Sequence, residues 1–328
     1  MKKKVLITIM IILVSLIALA AVIVAAIYFW PLRSSSLQTG TPKTISYEQS
    51  IAQTAELAQS EAARGVLDSC RSTLLAHGQK TAKTVVMFHG VTACPDQYSG
   101  LAKVFYDAGY NVYIPRAPYH GTSNKKDHGQ VTSQNLVDYV NTSITAATGL
   151  GDELGVVGLS GGGMLATWAS EYRPEVKRAL ILSPFYEPAA NQAPKWQLPF
   201  LHVLYGFHIL PDNFIEPATP DGAAFSYRAL ANYDIVAKNF KKDPSGLSLQ
   251  SIAVVTSDSD DQIDLSLAKS IPQSIASANN IPLTATELPA DWNVGHDIVA
   301  LANKEVAARQ DQLFTLYLNS YENKPTNL

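Results

Sequence analysis

The stretch Leu154 to Gly163 constrains this chain more than any other. It reads Leu-Gly-Val-Val-Gly-Leu-Ser-Gly-Gly-Gly, an apolar run that ends in Gly158-Leu159-Ser160-Gly161-Gly162 and passes into a helix-like run from Met164 to Tyr172. A strand that turns sharply into a helix holds its apex residue in a strained conformation, and side chains at the flanking positions collide across the turn. Gly158 and Gly162 meet that demand and leave Ser160 at the apex, the G-x-S-x-G arrangement of a nucleophile elbow. The N-terminus of the following helix favours negative charge developing beside the serine. A glycine-rich turn with an incidental serine would show the same residues, so the rest of the chain has to decide.

The segments around the elbow alternate. Ser72 to Leu75 reads as an edge strand, Thr84 to Phe88 as a strand buried on both faces, and Gln97 to Ala108 as a helix. Asn111 to Ile114 is the next strand and Ser133 to Ala147 the next helix. After the elbow come strands over Ala179 to Leu182, Ser251 to Thr256 and Leu283 to Leu288. Helices are expected over Leu265 to Ala278 and from Ile298 to about Tyr321. This rhythm predicts an α/β fold with a mostly parallel central sheet and helices on both faces. Phe185 to Asp243 breaks it, with Pro188, Pro194, Pro199, Pro211, Pro217 and Pro220 among Trp196, Phe200, Tyr205, Phe207 and Phe214. We assign residues of about 185–245 to an inserted cap, either a lid over a site or a packed surface excursion.

A serine hydroxyl is a poor nucleophile until a base takes its proton, and the base needs an acid to orient it. The best base is His296, in Asn293-Val294-Gly295-His296-Asp297, because the loop after the last strand faces the same end of the sheet as the serine. His202 and His208 fall in the insertion and read as packing or lid residues. The loop after Ser251 to Thr256 offers four carboxylates: Asp258, Asp260, Asp261 and Asp264. Asp260 is chosen, with Ile263 anchoring the loop and Asp264 capping the next helix. The oxyanion of an acyl-transfer intermediate would be held by the backbone N–H of Gly161 and, after His89-Gly90, that of Val91.

Taken together, His89-Gly90, Gly-Leu-Ser-Gly-Gly, the Asp260-x-x-Ile263-Asp264 loop and Gly295-His296-Asp297 resemble the α/β-hydrolase fold over about Ser72 to Tyr321. Pro115 to Gly121 is similar to the Pro-Arg-x-x-Gly-His-Gly loop of carboxylesterase-like, monoacylglycerol lipase-like and serine aminopeptidase-like members, with Tyr119 in place of the usual glycine. The resemblance implies a serine hydrolase, most readily a carboxylic ester hydrolase working through an acyl-enzyme. This fold also hosts peptidases, dehalogenases and inactive members. A peptidase or acyltransferase on envelope components, or a silent binding protein on the same scaffold, are the alternative expectations.

The N-terminus carries separate information. Lys2, Lys3 and Lys4 precede an apolar run from Val5 to Trp30, long enough to cross a bilayer, which takes about 20 residues. It exceeds the apolar core of a cleaved signal, about 7–15 residues, and ends on Tyr28-Phe29-Trp30, an interfacial belt. An uncleaved signal-anchor over residues 1–30 is expected, with a cleaved signal as the alternative. The lysines then stay in the cytoplasm, which puts the remaining domain outside the cell in a single-pass topology. Residues 31–68 are expected to be a linker, Pro31 to Lys43, and a helix from Tyr47 to Asp68 that is either a stalk or packed on the hydrolase domain, residues 69–328. A net charge of −3 gives no footprint for nucleic acid, and no Cys/His spacing suits a metal, so no cofactor is expected. The partners expected are a small-molecule or lipid-like ester and the membrane. Cys70 and Cys94 are expected to form a disulfide outside the cell, the alternative being two buried thiols.

Overall fold

The computed structural model describes residues 2–215 and 222–326; Pro217 and Pro220 of the insertion lie outside them. The chain starts with α1 (Lys2–Tyr28), whose apolar side chains from Val5 to Val24 are exposed. Its span Lys3–Tyr28 is long and apolar enough to cross a membrane, as an anchor or a signal sequence would be.

Residues 31–43 have the composition of a linker but lie as an extended strap on the domain. Trp168 Nε1 donates to the Leu37 carbonyl at 2.8 Å, and Arg33 donates to the carbonyls of Lys238 and Phe240. Apart from a 3₁₀ turn over Ser35–Gln38 the strap is irregular, yet its free backbone groups still find side-chain partners. Next comes α2 (Tyr47–Ala63), opened by a capping box between Ser46 and Gln49. It packs against the main domain and is not a stalk, since its Glu61 is buried and accepts from Ser72 N, Ser72 Oγ and Arg116 Nε.

The domain then alternates as its periodicity implies. β1 (Thr73–Leu75), β2 (Thr81–Phe88), α3 (Ser99–Asp107), β3 (Tyr110–Ile114), α4 (Ser133–Ala147), β4 (Gly151–Leu159), α5 (Gly161–Tyr172) and β5 (Val176–Leu182) follow in order. The insertion supplies a single turn α6 (Leu198–Phe200), a π-turn over Leu201–Tyr205 and an antiparallel pair, β6 (Phe214–Ile215) and β7 (Phe225–Ser226). Then come α7 (Tyr227–Ala237), β8 (Ser251–Ser257), α8 (Leu265–Asn279), β9 (Leu283–Leu288), α9 (Lys304–Ala307) and α10 (Gln310–Tyr321). The sheet order is β1-β3-β2-β4-β5-β8-β9, with every pair parallel except the edge pair β1–β3.

The continuous apolar strands feed two cores. Val86, Phe88, Val156, Ile181 and Val254 face α4, α5 and α7 on one side. Their neighbours Val85, Met87, Val157, Leu180 and Val255 face α3 and α10 on the other. Strand side chains alternate faces, so a strand covered on both sides loses its polar half. This central stack carries the elbow and both loops that complete the site.

Two further expectations change. The helix expected from Ile298 starts later, because Asp297 Oδ1 accepts from Val299 N and Ala300 N and Asn303 caps α9; a second break at Ala308 separates α10. Within the insertion, α7 belongs to the core: Ala229, Tyr233 and Val236 are buried against α4 and α5. Among the described residues of the insertion, those of about 185–215 and 222–225 rise above the sheet as a cap.

Candidate active site

Ser160 stands between β4 and α5 with φ 57° and ψ −122°, a conformation that costs about 1–3 kcal/mol for a residue with a side chain. The turn is over-determined by its bonds: Ser160 N donates to Leu182 O at 2.9 Å, and Phe185 N donates to Ser160 O at 2.9 Å. A Cβ on Gly158 would lie 2.1 Å from Gly162 O, and one on Gly162 would lie 1.8 Å from Phe88 O. Both elbow glycines are therefore required by backbone contact.

His296 comes from the loop between β9 and α9. Its Nε2 lies 2.8 Å from Ser160 Oγ, and its Nδ1 lies 2.7 Å from Asp260 Oδ2. An ionised carboxylate only accepts, so Nδ1 carries the proton and Nε2 is left to accept from the serine hydroxyl. Asp260 is buried, its second oxygen accepting from Gln262 N at 2.9 Å. Of the other carboxylates, Asp258 is exposed and Asp264 caps α8 through Ser266 N and Leu267 N. Asp261 lies on the rim of the cavity, and Ile263 is buried as the loop's anchor. Ser259 Oγ accepts from Gly295 N at 3.0 Å, tying the acid loop to the histidine loop. His202 does not approach Ser160; it is buried in the cap against Asp234 at 2.6 Å.

The loop after β2 runs alongside the elbow. A Cβ on Gly161 would meet Val91 Cγ2 at 2.5 Å, and one on Gly90 would lie 3.7 Å from Ser160 Cβ, so Gly90-Val91 and Ser160-Gly161 are in contact. Gly161 is the first residue of α5, where an N–H has no intrahelical acceptor. His120 Nε2 lies 2.6 Å from the Val91 carbonyl and fixes that peptide from behind. His89, His120 and His128 form a buried row with ring centroids 5.0 and 4.8 Å apart. Burial holds His89 and His120 below the usual histidine range and takes His128 down to about 3, which keeps the row neutral. Tyr119 has φ 64°, the left-handed region that favours glycine, so a residue with a side chain bears the strain there.

One residue escaped the sequence reading. Gln97 accepts from Gly90 N at 2.9 Å through Oε1 and donates to Asp297 Oδ2 at 2.8 Å through Nε2. It joins the loop of Val91 to the loop of His296. Cys70 and Cys94 form a disulfide beside it, Cys94 preceding the 3₁₀ turn Pro95–Tyr98 that carries Gln97. Above Ser160 and His296 opens a cavity of about 910 Å³. Its floor is lined by Val91, Gln97 and Asp297, and its cap side by Leu198, Phe200, Leu201 and Leu204. Among the described residues no group of three His, Cys, Asp or Glu could hold a metal ion.

Comparison with known proteins agrees with this architecture. Residues 83–233 match the family model described as alpha/beta hydrolase fold. A thermostable monoacylglycerol lipase of Bacillus sp. (strain H-257) is 32% identical over 92 residues, which are 28% of this chain and 36% of that lipase; the chain thus spans about a third of the length of the curated relative it matches. Among solved structures, a soluble variant of monoglyceride lipase from Saccharomyces cerevisiae superposes with a TM-score of 0.52 at 12% identity, over 78% of this chain and 92% of that one. A structure from work on LipS and LipT, two metagenome-derived lipolytic enzymes, gives 0.51 at 18% identity, over 76% and 99%. The chain has the α/β-hydrolase fold.

Proposed function

We propose that this α/β-hydrolase-fold chain is a serine hydrolase of carboxylic esters, held at the membrane by α1 with its domain outside the cell. The hydrogen-bonded series Ser160–His296–Asp260 at the floor of the cavity carries the reading. An ester carbonyl seated over Ser160 meets the hydroxyl as His296 Nε2 takes its proton. Asp260 holds the imidazole in that tautomer and stabilises the cation that forms. Charge on the carbonyl oxygen is met by the N–H groups of Gly161 and Val91, each worth roughly 3 kcal/mol in the transition state. The imidazolium then protonates the leaving alcohol. Water enters, gives a proton to the same nitrogen as its oxygen bonds the acyl carbon, and the acid leaves when the Ser160 Oγ–acyl bond breaks and that proton returns to Oγ. The cap side of the cavity is apolar and suits an acyl chain, whereas Gln97 and Asp297 offer a polar end for the alcohol. Similarity to lipases supports a lipid-like ester.

Hydrolysis of p-nitrophenyl esters of short and long acyl chains, measured beside aminoacyl anilides for the wild type and Ser160→Ala, tests this. Ester turnover that vanishes in the variant is expected. Anilide cleavage without ester cleavage, or ester turnover that survives Ser160→Ala, would overturn it.

A further inference from the structure

The segment leaving α1 is built into the cap. Tyr28 Oη donates to the Trp196 carbonyl at 2.8 Å, and its ring stands edge-on to Phe200 with centroids 5.7 Å apart. The Trp30 ring lies 5.8 Å from Phe207. Past Pro31 the chain is stapled down: Asn239 Nδ2 donates to Leu32 O, Ser34 N donates to Asn239 Oδ1, and Arg33 spans two carbonyls after α7. No free linker separates helix and domain, so their relative orientation is set.

Depth follows from length. The 27 residues of α1 extend about 40 Å at ~1.5 Å each, more than the roughly 30 Å of a bilayer core. Tyr28, Phe29 and Trp30 then lie at headgroup level, where aromatic residues gather. The cap residues they touch must lie at the same level. That part of the cap is apolar and exposed: Trp196 and Ile209 are each 60% exposed, and Phe207, Leu210 and Ile215 also face outward. Single exposed apolar residues are ordinary, but a cluster continuous with a membrane-crossing helix is an interaction surface. Trp196, Phe200 and Ile215 also line the cavity above Ser160.

We propose that the cap face around Trp196, Phe207, Ile209, Leu210 and Ile215 rests in the headgroup–acyl boundary of the membrane crossed by α1, so that the cavity opens onto lipid. The partner is the lipid surface, and the anchor's last turn is a structural part of the cap. The inference rests on the proposed role of α1 as an uncleaved anchor, and it extends the ester reading to substrates taken from the bilayer.

The test uses the full-length protein in nanodiscs of phosphatidylcholine and phosphatidylglycerol. Both native cysteines are in the disulfide, so Ile209→Cys and, as a control on α3, Lys103→Cys can each carry a nitrobenzoxadiazole label. A lipid bearing a nitroxide near the headgroup should quench the label at position 209 and leave that at 103 bright. Equal, water-like emission from both would overturn the proposal. In parallel, Tyr28→Ala with Trp30→Ala should slow hydrolysis of a long-chain ester dispersed in the nanodisc about tenfold, the scale of two aromatic contacts. Turnover of a short water-soluble ester should change little. Equal loss on both substrates would assign these rings to cap stability and sink the idea. Quenching at position 209 without any ester turnover would defeat the hydrolase reading alone.

Discussion

Reducing the Cys70–Cys94 bridge is expected to cost about 3.5 kcal/mol. The bridge closes a loop with a sequence separation of 24, and the chain-entropy relation gives about −12 cal/mol/K for a loop of that size, or ~3.5 kcal/mol at 298 K. With roughly 300 residues outside α1, the entropy of unfolding is ~0.6 kcal/mol/K, so Tm should fall by ~6 °C. The loop contains β2 and the Gly90-Val91 segment, and Cys94 sits at the start of the turn carrying Gln97. Activity should therefore suffer before the fold does, with kcat falling more than KM rises. The assay is calorimetry or dye-monitored melting of the oxidised and reduced wild type, beside Cys70→Ala with Cys94→Ala. The double variant should melt at or below the reduced protein, since it also loses two buried sulfurs. A reduced protein that melts within 1 °C of the oxidised one would refute the reasoning, because the loop would then have little freedom to regain.

Other outcomes follow from the same geometry. Ser160→Ala should lower turnover by about 10⁶-fold and Asp260→Asn by about 10⁴-fold, the scale of these substitutions in other triads, while Asp258→Asn and Asp261→Asn should change little. A crippled Asp258→Asn beside a mild Asp260→Asn would reassign the acid. Gln97→Ala removes the partner of the Gly90 N–H and of Asp297 Oδ2; a loss of about 1–3 kcal/mol should appear as a drop in kcat of about 5–150-fold with KM nearly constant, and a pure KM effect would speak against a positioning role. Acid should unfold the domain through the histidine row: burial depresses the folded-state pKa values, so below pH ~6.5 the unfolded rings bind protons that the folded ones refuse. Stability should then fall with pH by up to ~1.4 kcal/mol per unit per ring, for His128 until the pH nears 3. Urea titrations between pH 7.5 and 4.5 check this, and a slope that His128→Asn leaves unchanged would exclude that ring as a source.

Much of the fold is legible in the sequence because its physical demands are local. β2, β4, β5 and β8 are apolar on both faces, which only a covered sheet tolerates, and Gly158 answers a collision with Gly162 four residues on, whereas Gly162 answers one with Phe88 on β2. The acid loop was harder, since four carboxylates stand within seven residues and only the packing of Ile263 and the capping by Asp264 set the register. What stayed hidden depends on distant partners. Gln97 meets Asp297 across 200 residues, and nothing in Pro95 to Tyr98 announces it. The strap looked free because its partners, Asn239, Asn141 and Trp168, lie elsewhere in the chain. The final helix looked continuous because its composition is helical, yet the Asp297 side chain diverts the backbone at its start. In α7, flanking prolines and aromatics disguised a helix that belongs to the core.

The central claim, that Ser160 is the nucleophile, is tested most directly by peptide mass mapping after a brief reaction with a fluorophosphonate. One adduct on the peptide containing Ser160 is expected, absent from Ser160→Ala and formed far more slowly in His296→Ala. An enzyme that hydrolyses esters while its Ser160 peptide stays unmodified, or that carries the adduct on another residue, would contradict it.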